Sequence, residues 1–394
     1  MTGKLKGLGY SNTLKAVALI AAALILFSCQ KDQLENNRII LYPVIENKIE
    51  TAVMTRATGD PIDTNAFTEY SSEDRQALTV QAVAFQPSSN TRAADKDDDG
   101  TFSPIGQTEW RSGVEVELSY SYNLYVYSQA MPASATPQFT YDGSNTSLTF
   151  NGLQLLTTID PLVCVAAKGE LLPDNPDPSL YPTLIEGNFG IGTINRVVND
   201  NVVEKTTKAF LALEHLYSKA SMSFKIDDTY SQIRTIRIKD VQISTPEGTL
   251  TGTHTYTFAN NSLNIPTGNN IATGGNSAQI DLFDGPTSML TPQENQDYIT
   301  LTTQAQTFGY FYFLPLNPLK PMSLTVTYDV YDLAGNPTRQ NQTVTNNNLF
   351  AGISYNNGKA ERNHEYQINV TVSPTYLYVL SDDDVDLKLE LTVQ

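Results

Sequence analysis

Short segments in which apolar and polar residues alternate recur from residue 77 to the end of the chain. Examples are ALTVQAVAF at 77–85, VEVELSYSYNLYVYS at 114–128 and EYQINVTVSP at 365–374. Alternation with a period of two residues is typical of β-strands that bury one face, and the Gly-, Pro- and Asn-rich stretches between them are typical of turns. Two runs of such strands, one within residues 57–204 and one within residues 205–394, predict an all-β chain with two tandem β-sandwiches.

One stretch between the two runs fits two kinds of secondary structure. In TTKAFLALEHLYSKA, at 206–220, Phe210, Leu213, Tyr217 and Ala220 recur at helical spacing. A bulged strand accommodates the same residues. Helix and strand therefore both stay open here.

The N-terminus has the layout of a bacterial export signal. Three lysines accompany an apolar run, Ala16–Phe27, that is too short to span a bilayer comfortably and suits a signal peptide. The run ends in Leu-Phe-Ser-Cys, which resembles a lipobox. We therefore expect a lipoprotein signal peptide at residues 1–28, cleavage between Ser28 and Cys29, and acylation of Cys29. The alternative is an ordinary signal peptide followed by a chance cysteine.

Residues 29–56 form a short leader with one strand-like stretch of its own, RIILYPVIENKI at 38–49. It is followed by VMTRATGDP, a turn-forming sequence in which a protease could reach the Arg56–Ala57 bond. Arg92–Ala93, in NTRAAD, is a rival processing site.

The chain ends in a second isolated strand pattern, VDLKLELTVQ at 385–394. An acidic run, SDDD, precedes it, and polar residues alternate with five apolar ones: Val385, Leu387, Leu389, Leu391 and Val393. The pattern predicts a half-buried strand. It either returns to the sheet of its own domain or pairs with another subunit. The segment at 365–374 already makes a good closing strand for the second sandwich, which favours the second possibility.

Composition and motifs argue against several functions. The net charge of −17 disfavours a nucleic-acid surface. His215, His254 and His364 are far apart and form no metal-binding motif, and no nucleophile elbow, phosphate loop or dinucleotide fingerprint is present. Cys164 lies in an apolar run without a neighbouring base, which indicates a buried thiol. We expect neither enzymatic activity nor a cofactor.

The acidic loop DKDDDG, Asp95–Gly100, is a weak candidate for calcium. Asp95, Asp97 and Asp99, followed by Gly100, match the first half of a calcium-binding loop. The twelfth position is Gly106, so the bidentate glutamate of such loops is missing. A solvated loop is the simpler interpretation.

Four features together resemble the Bacteroidales fimbrillins, which are pilins made as lipoprotein precursors. The first two are Cys29 at the end of its apolar run and the Arg56–Ala57 bond in the leader. The third is FLALEHLYSKASMSFKI at 210–226, similar to a mid-chain strand of that family. The fourth is the C-terminal half, with YFYFLPL, LTVTYDVYDLAGN and NGKAERNHEYQINVTVSP. The stretch between Lys359 and His364 is longer than the compact turn of the family pattern.

The resemblance implies a fold, an assembly route and partners. The two sandwiches are expected to be transthyretin-like, and the leader strand is expected to fill a groove in the first. An Arg-specific protease would remove the leader, and residues 385–394 of another fimbrial subunit would then fill the groove. The precursor would reach the outer membrane through its lipid, and the product would be a surface fimbrium that supports adhesion. An anchor or tip adhesin that keeps its lipid and a glycan-binding surface lipoprotein are the alternatives, and the receptor stays open.

Overall fold

We describe the protein from a computed structural model. It describes residues 38–46, 67–68, 80–85, 100–105, 109–115, 121–141, 145–170, 183–193, 208–245, 248–265, 278–284, 297–316, 319, 321–350, 360–374 and 385–393. These residues form β-strands joined by turns, with two single 3-10 turns at Tyr230–Gln232 and Phe258–Asn260. No helix in this part of the chain is long and apolar enough to cross a membrane.

The strands of the first half are short and closely spaced. They are β1 (Arg38–Glu46), β2 (Phe67–Thr68), β3 (Val80–Phe85), β4 (Gly100–Ile105), β5 (Glu109–Glu115), β6 (Ser121–Ser128), β7 (Gln138–Tyr141), β8 (Thr146–Asn151), β9 (Leu156–Thr157), β10 (Leu162–Glu170), β11 (Gly190–Thr193) and β12 (Lys208–His215).

The strands of the second half include the longest alternating segments. They are β13 (Ser218–Ile226), β14 (Thr235–Ser244), β15 (Thr253–Thr257), β16 (Ser262–Asn264), β17 (Gln279–Asp284), β18 (Ile299–Thr300), β19 (Gln306–Phe313), β20 (Ser323–Tyr331), β21 (Pro337–Asn346), β22 (Glu365–Pro374) and β23 (Val385–Val393).

The first sandwich packs a nine-stranded sheet against a four-stranded one. The larger sheet has the order β10-β12-β1-β5-β4-β3-β6-β11, with β2 paired to β1, and it curls back on itself because β10 also pairs with β6. The smaller sheet has the order β16-β15-β8-β7. Its strands β15 and β16 come from the second half of the chain and pair onto β8. The first core lies between these sheets, where Tyr122, Leu124 and Leu211 of the larger sheet meet Phe150 and Tyr256 of the smaller one.

The second sandwich consists of two five-stranded sheets. One has the order β23-β22-β13-β19-β9, and the other has the order β17-β14-β20-β21 with β18 paired to β14. Alternate residues of β13, β14, β20 and β22 are buried between them, as the sequence alternation requires. Phe224, Ile238, Val326 and Ile368 are representative members of this second core. The prediction of an all-β chain with two sandwiches is confirmed.

The helical interpretation of residues 206–220 is wrong. The chain forms β12, turns at Leu216 and Tyr217, and continues as β13. β12 lies inside the large sheet and both of its faces are covered, so all residues from Ala209 to Leu213 are buried. This is why the sequence could not distinguish a helix from a strand here. A strand buried on both faces shows a continuous apolar run instead of an alternation.

The chain crosses from one sandwich to the other at this turn. β12 belongs to the first sandwich and β13 to the second, and β9 of the first half also pairs with β19 of the second. The proposed domain boundaries at residues 56/57 and 204/205 stay predictions.

Candidate strand-exchange site

The leader strand β1 is an inner strand of the large sheet. It runs parallel to β12, with six residue pairs from Ile40–Lys208 to Ile45–Leu213, and antiparallel to β5 on its other side. Its far end also pairs with β2. β1 therefore has a hydrogen-bonded neighbour along both edges. It precedes Arg56 in the chain.

β12 forms one wall of the slot that β1 fills. Ala209, Leu211 and Leu213 belong to the first core and stand in register with Leu41, Pro43 and Ile45 of the leader strand. Without β1, the backbone of β12 would keep β10 as its only partner among the described strands. A buried strand edge with unpaired amides and carbonyls is strongly unfavourable, because those groups lose both water and their hydrogen-bond partners.

A buried polar cluster lies where β12 ends. Arg362, just before β22, donates to the Glu214 carboxylate from Nη2 at 3.0 Å and to the His215 carbonyl from Nη1 at 3.1 Å. Asn261, in the left-handed conformation with φ 51°, donates to Glu214 at 3.0 Å and to Glu186 at 2.9 Å, and its own oxygen accepts a bond from Arg362. The cluster ties four segments that are distant in sequence.

Further hydrogen bonds beside this cluster, at the junction between the two sandwiches, hold the start of β22 against the β12–β13 turn. Asn363 donates its backbone amide to the Tyr217 carbonyl at 3.0 Å, and its side-chain oxygen accepts the His215 amide at 3.1 Å. Ser218 donates its hydroxyl to the Glu361 carbonyl at 2.6 Å. Burial raises the pKa of the Tyr217 hydroxyl, which donates to the Gln154 carbonyl. The same set of hydrogen bonds thus holds the end of β12, which lines the position of β1, and the start of β22, which pairs with the C-terminal strand.

The C-terminal tail forms β23 at the outer edge of its own sheet. It pairs antiparallel with β22 over nine residue pairs, and β22 is its only hydrogen-bonded neighbour among the described strands. Leu387 is 5% exposed and lies in the second core, Leu389 packs against that core, and Lys388 is exposed. The predicted strand is thus present at Val385–Val393, with Leu387 and Leu389 on its inner face. Its role as a donor stays a prediction.

Several predicted site residues lie outside the described residues. They are Ser28, Cys29, Arg56, Ala57, Arg92, Asp95, Asp97 and Asp99. No group of three or more potential metal-ligating side chains occurs within the ranges that the structure describes.

The histidines lie in separate places. His215 is held by Asp160, with 2.7 Å between Nδ1 and Oδ1, and His364 bonds the Arg362 carbonyl through Nδ1 at 2.8 Å. Burial lowers the pKa of His254 on β15.

Cys164 is a buried thiol of β10, as the sequence predicts. It is fully buried in the first core and donates to the Ala166 carbonyl at 3.0 Å. Burial raises its pKa far above the usual range for a thiol. It is therefore a packing residue, since an un-ionised thiol is a poor nucleophile.

Comparisons with known proteins find similar folds but no close sequence. A fimbrial protein from Bacteroides vulgatus aligns with a TM-score of 0.46 at 11% identity, over 91% of this chain and 99% of its own. The fimbrial anchor protein from Porphyromonas gingivalis aligns with a TM-score of 0.30 at 10% identity, over 90% of this chain and 97% of its own. No protein-family model and no curated protein sequence matches it.

Sequence reasoning missed the polar cluster at the junction. Glu214 and Arg362 are 148 positions apart, and Asn261 and Glu214 are 47 apart. A charged residue inside the apolar run at 208–215 was the one available signal, because a buried carboxylate requires a partner.

Proposed function

We propose that the chain is a structural subunit of surface fimbriae, assembled by protease-activated strand exchange. The observation that supports this best is the position of β1. A strand that precedes Arg56 is an inner strand of the first sandwich, between β12 and β5. Cleavage after Arg56 would leave it held by hydrogen bonds and packing alone.

Removal of β1 would create a vacancy that favours another strand. Six residue pairs with β12 and three with β5 would lose their partners. Each buried backbone group left unpaired costs about 1–3 kcal/mol, and the slot would be lined by the apolar wall of β12. Addition of a strand from another chain satisfies both needs, which is the principle of β-augmentation.

The tail is the best candidate donor within the chain. β1 and β23 are both nine residues long, and β23 is an edge strand with one neighbour among the strands that the structure describes. Its release would break one ladder, whereas release of an inner strand would break two. The acidic run SDDD at 381–384 precedes it in the sequence.

The N-terminal features belong to the same proposal. Acylation of Cys29 would hold the precursor at the outer membrane, since each buried methylene contributes about 0.8 kcal/mol. An Arg-specific protease at the cell surface would then act at Arg56–Ala57. The chain would serve adhesion as part of a surface fimbrium, with other fimbrial subunits as its partners. The alternative is an anchor that keeps its lipid and its leader strand.

The mature N-terminus decides between these roles. We expect shed fimbrial material to begin at Ala57, and we expect Arg56→Ala to leave a folded, uncut precursor that does not polymerise. Arg92→Ala is the matched control and should polymerise normally. Material that begins at Ala93 would move the site to Arg92, and a chain that keeps acylated Cys29 would be an anchor. Polymer ladders in Arg56→Ala without cleavage elsewhere would refute the activation step.

A further inference from the structure

An arginine on the outer face of the second sandwich is held between two tyrosine rings. The guanidinium carbon of Arg237, on β14, lies 4.4 Å from the ring centre of Tyr298 and 4.0 Å from that of Tyr331. Arg237 is half-buried, and Tyr298 is 37% exposed. Stacking on both sides restricts the guanidinium plane, so a ligand that binds it loses little side-chain freedom. We call these three residues the arginine sandwich.

The guanidinium is available for a ligand. None of the described residues forms a hydrogen bond or ion pair with it, whereas Lys219, Lys239 and Arg362 each pair with a carboxylate at 3.0–3.6 Å. Its Nε is buried and has no partner among the described atoms. A ligand therefore cannot bind along the edge that includes Nε, but it can bind end-on to the fork formed by the two Nη atoms. A fork of this kind matches the two oxygens of a carboxylate.

The surroundings select a singly charged ligand. Asp329 stands opposite Arg237 in the register of β14 and β20, and its carboxylate accepts the Asn341 amide at 2.6 Å and lies 3.6 Å from the Lys239 ammonium. The Asp329 and Lys239 charges therefore offset each other, and Arg237 supplies a single positive charge that no described carboxylate pairs with. One positive charge matches one carboxylate, and the net charge of −17 repels polyanions at longer range.

The position of the arginine sandwich favours a sugar over a peptide. β14 pairs with β17 and β18 along one edge and with β20 along the other, so it offers no free edge that a peptide could extend. Among the described residues, the site offers the guanidinium fork beside the exposed part of the Tyr298 ring, one face of which stacks on Arg237. The C–H face of a pyranose can pack on the exposed part of this ring while a carboxylate on the sugar reaches the fork. We propose that Arg237, Tyr298 and Tyr331 bind a terminal carboxylated sugar.

The proposal predicts a defined ligand preference for the chain as purified from cells. In titrations followed by saturation-transfer NMR, sialyllactose or monomeric galacturonic acid, each with a single carboxylate, should bind with a Kd on the order of 1 mM, as a small contact surface allows. Lactose and glucose 6-phosphate should bind at least about tenfold more weakly, because they lack a singly charged carboxylate. An oligoglutamate peptide tests the rival class of ligand.

Substitutions separate the fork from simple charge. Arg237→Lys keeps the charge but loses the fork and the stacking, so it should weaken binding at least about tenfold. Arg339→Gln, at an exposed arginine on neighbouring β21, is the matched control and should leave binding unchanged. Unchanged melting temperatures ensure that the variants are folded; if Arg237→Lys lowers stability, Tyr298→Leu replaces it. Folded wild-type protein that binds no carboxylated sugar at about 10 mM, equal loss in Arg339→Gln, or a preference for oligoglutamate would overturn the proposal.

Discussion

Replacement of Leu387 by aspartate tests how the tail is held in the monomer. Leu387 is 5% exposed, stands in register with Val372 and belongs to the second core. Loss of a buried leucine side chain costs about 1.5–3 kcal/mol, and burial of a carboxylate in its place adds several more. The substitution should therefore disfavour docking of β23 by more than about 4 kcal/mol.

The architecture sets an upper limit on the observed effect. β23 pairs with β22 alone among the described strands. If it detaches while the rest of the sandwich stays folded, the drop in unfolding free energy cannot exceed the free energy of tail docking. Leu387→Asp should consequently match deletion of residues 385–394. Lys388→Asp changes an exposed side chain on the opposite face and should stay within about 0.5 kcal/mol of the wild type.

Urea unfolding and hydrogen exchange measure both expectations. Leu387→Asp and the deletion should show the same midpoint, and the β22 amides should exchange faster in both. A variant that fails to fold in either case would mean that the tail is an integral part of its own sandwich and cannot be released as a donor. Equal destabilisation by Lys388→Asp would mean that the assignment of the two strand faces is wrong.

Four further predictions address other parts of the chain. Cys29→Ala should abolish labelling by a palmitate analogue, and equal label in the wild type and the variant would refute lipidation. In that variant Cys164 is the one remaining thiol. Because burial raises its pKa, it should resist maleimide at neutral pH until urea unfolds the protein. Rapid labelling of the native protein would contradict its place in the core. Arg362→Leu should lower the unfolding free energy by about 3–5 kcal/mol, because Glu214 would be left buried without its charge partner, and a loss below about 1 kcal/mol would show that the cluster is exposed to water. If the acidic loop binds calcium, millimolar Ca²⁺ should raise the melting temperature and replacement of its aspartates by asparagine should remove the gain; no gain in the wild type would leave it a solvated loop.

Strands that bury one face could be predicted from the sequence with little ambiguity. β22 and β23 coincide with the alternating segments at 365–374 and 385–394. Alternation is a local property, since side chains on a strand point to opposite faces in turn. The leader strand was also visible, because its apolar run is bounded by polar residues.

Strand partners could not be predicted in the same way. Nothing local indicates that β1 runs parallel to β12, or that β15 and β16 of the second half complete the first sandwich. These pairings depend on which apolar faces meet once the whole chain is compact. The helical interpretation of 206–220 failed for this reason, since both faces of β12 are buried by elements distant in sequence.

By itself, the sequence determined the secondary-structure class, the export signal pattern and the two isolated strands that bracket the chain. The tertiary structure alone decided that one of these strands is an inner strand and the other an edge strand. It also brought Glu214 to Arg362 and placed Arg237 between Tyr298 and Tyr331. Periodicity is set by neighbouring residues, whereas buried charge pairs and stacked cations depend on contacts between segments that only folding brings together.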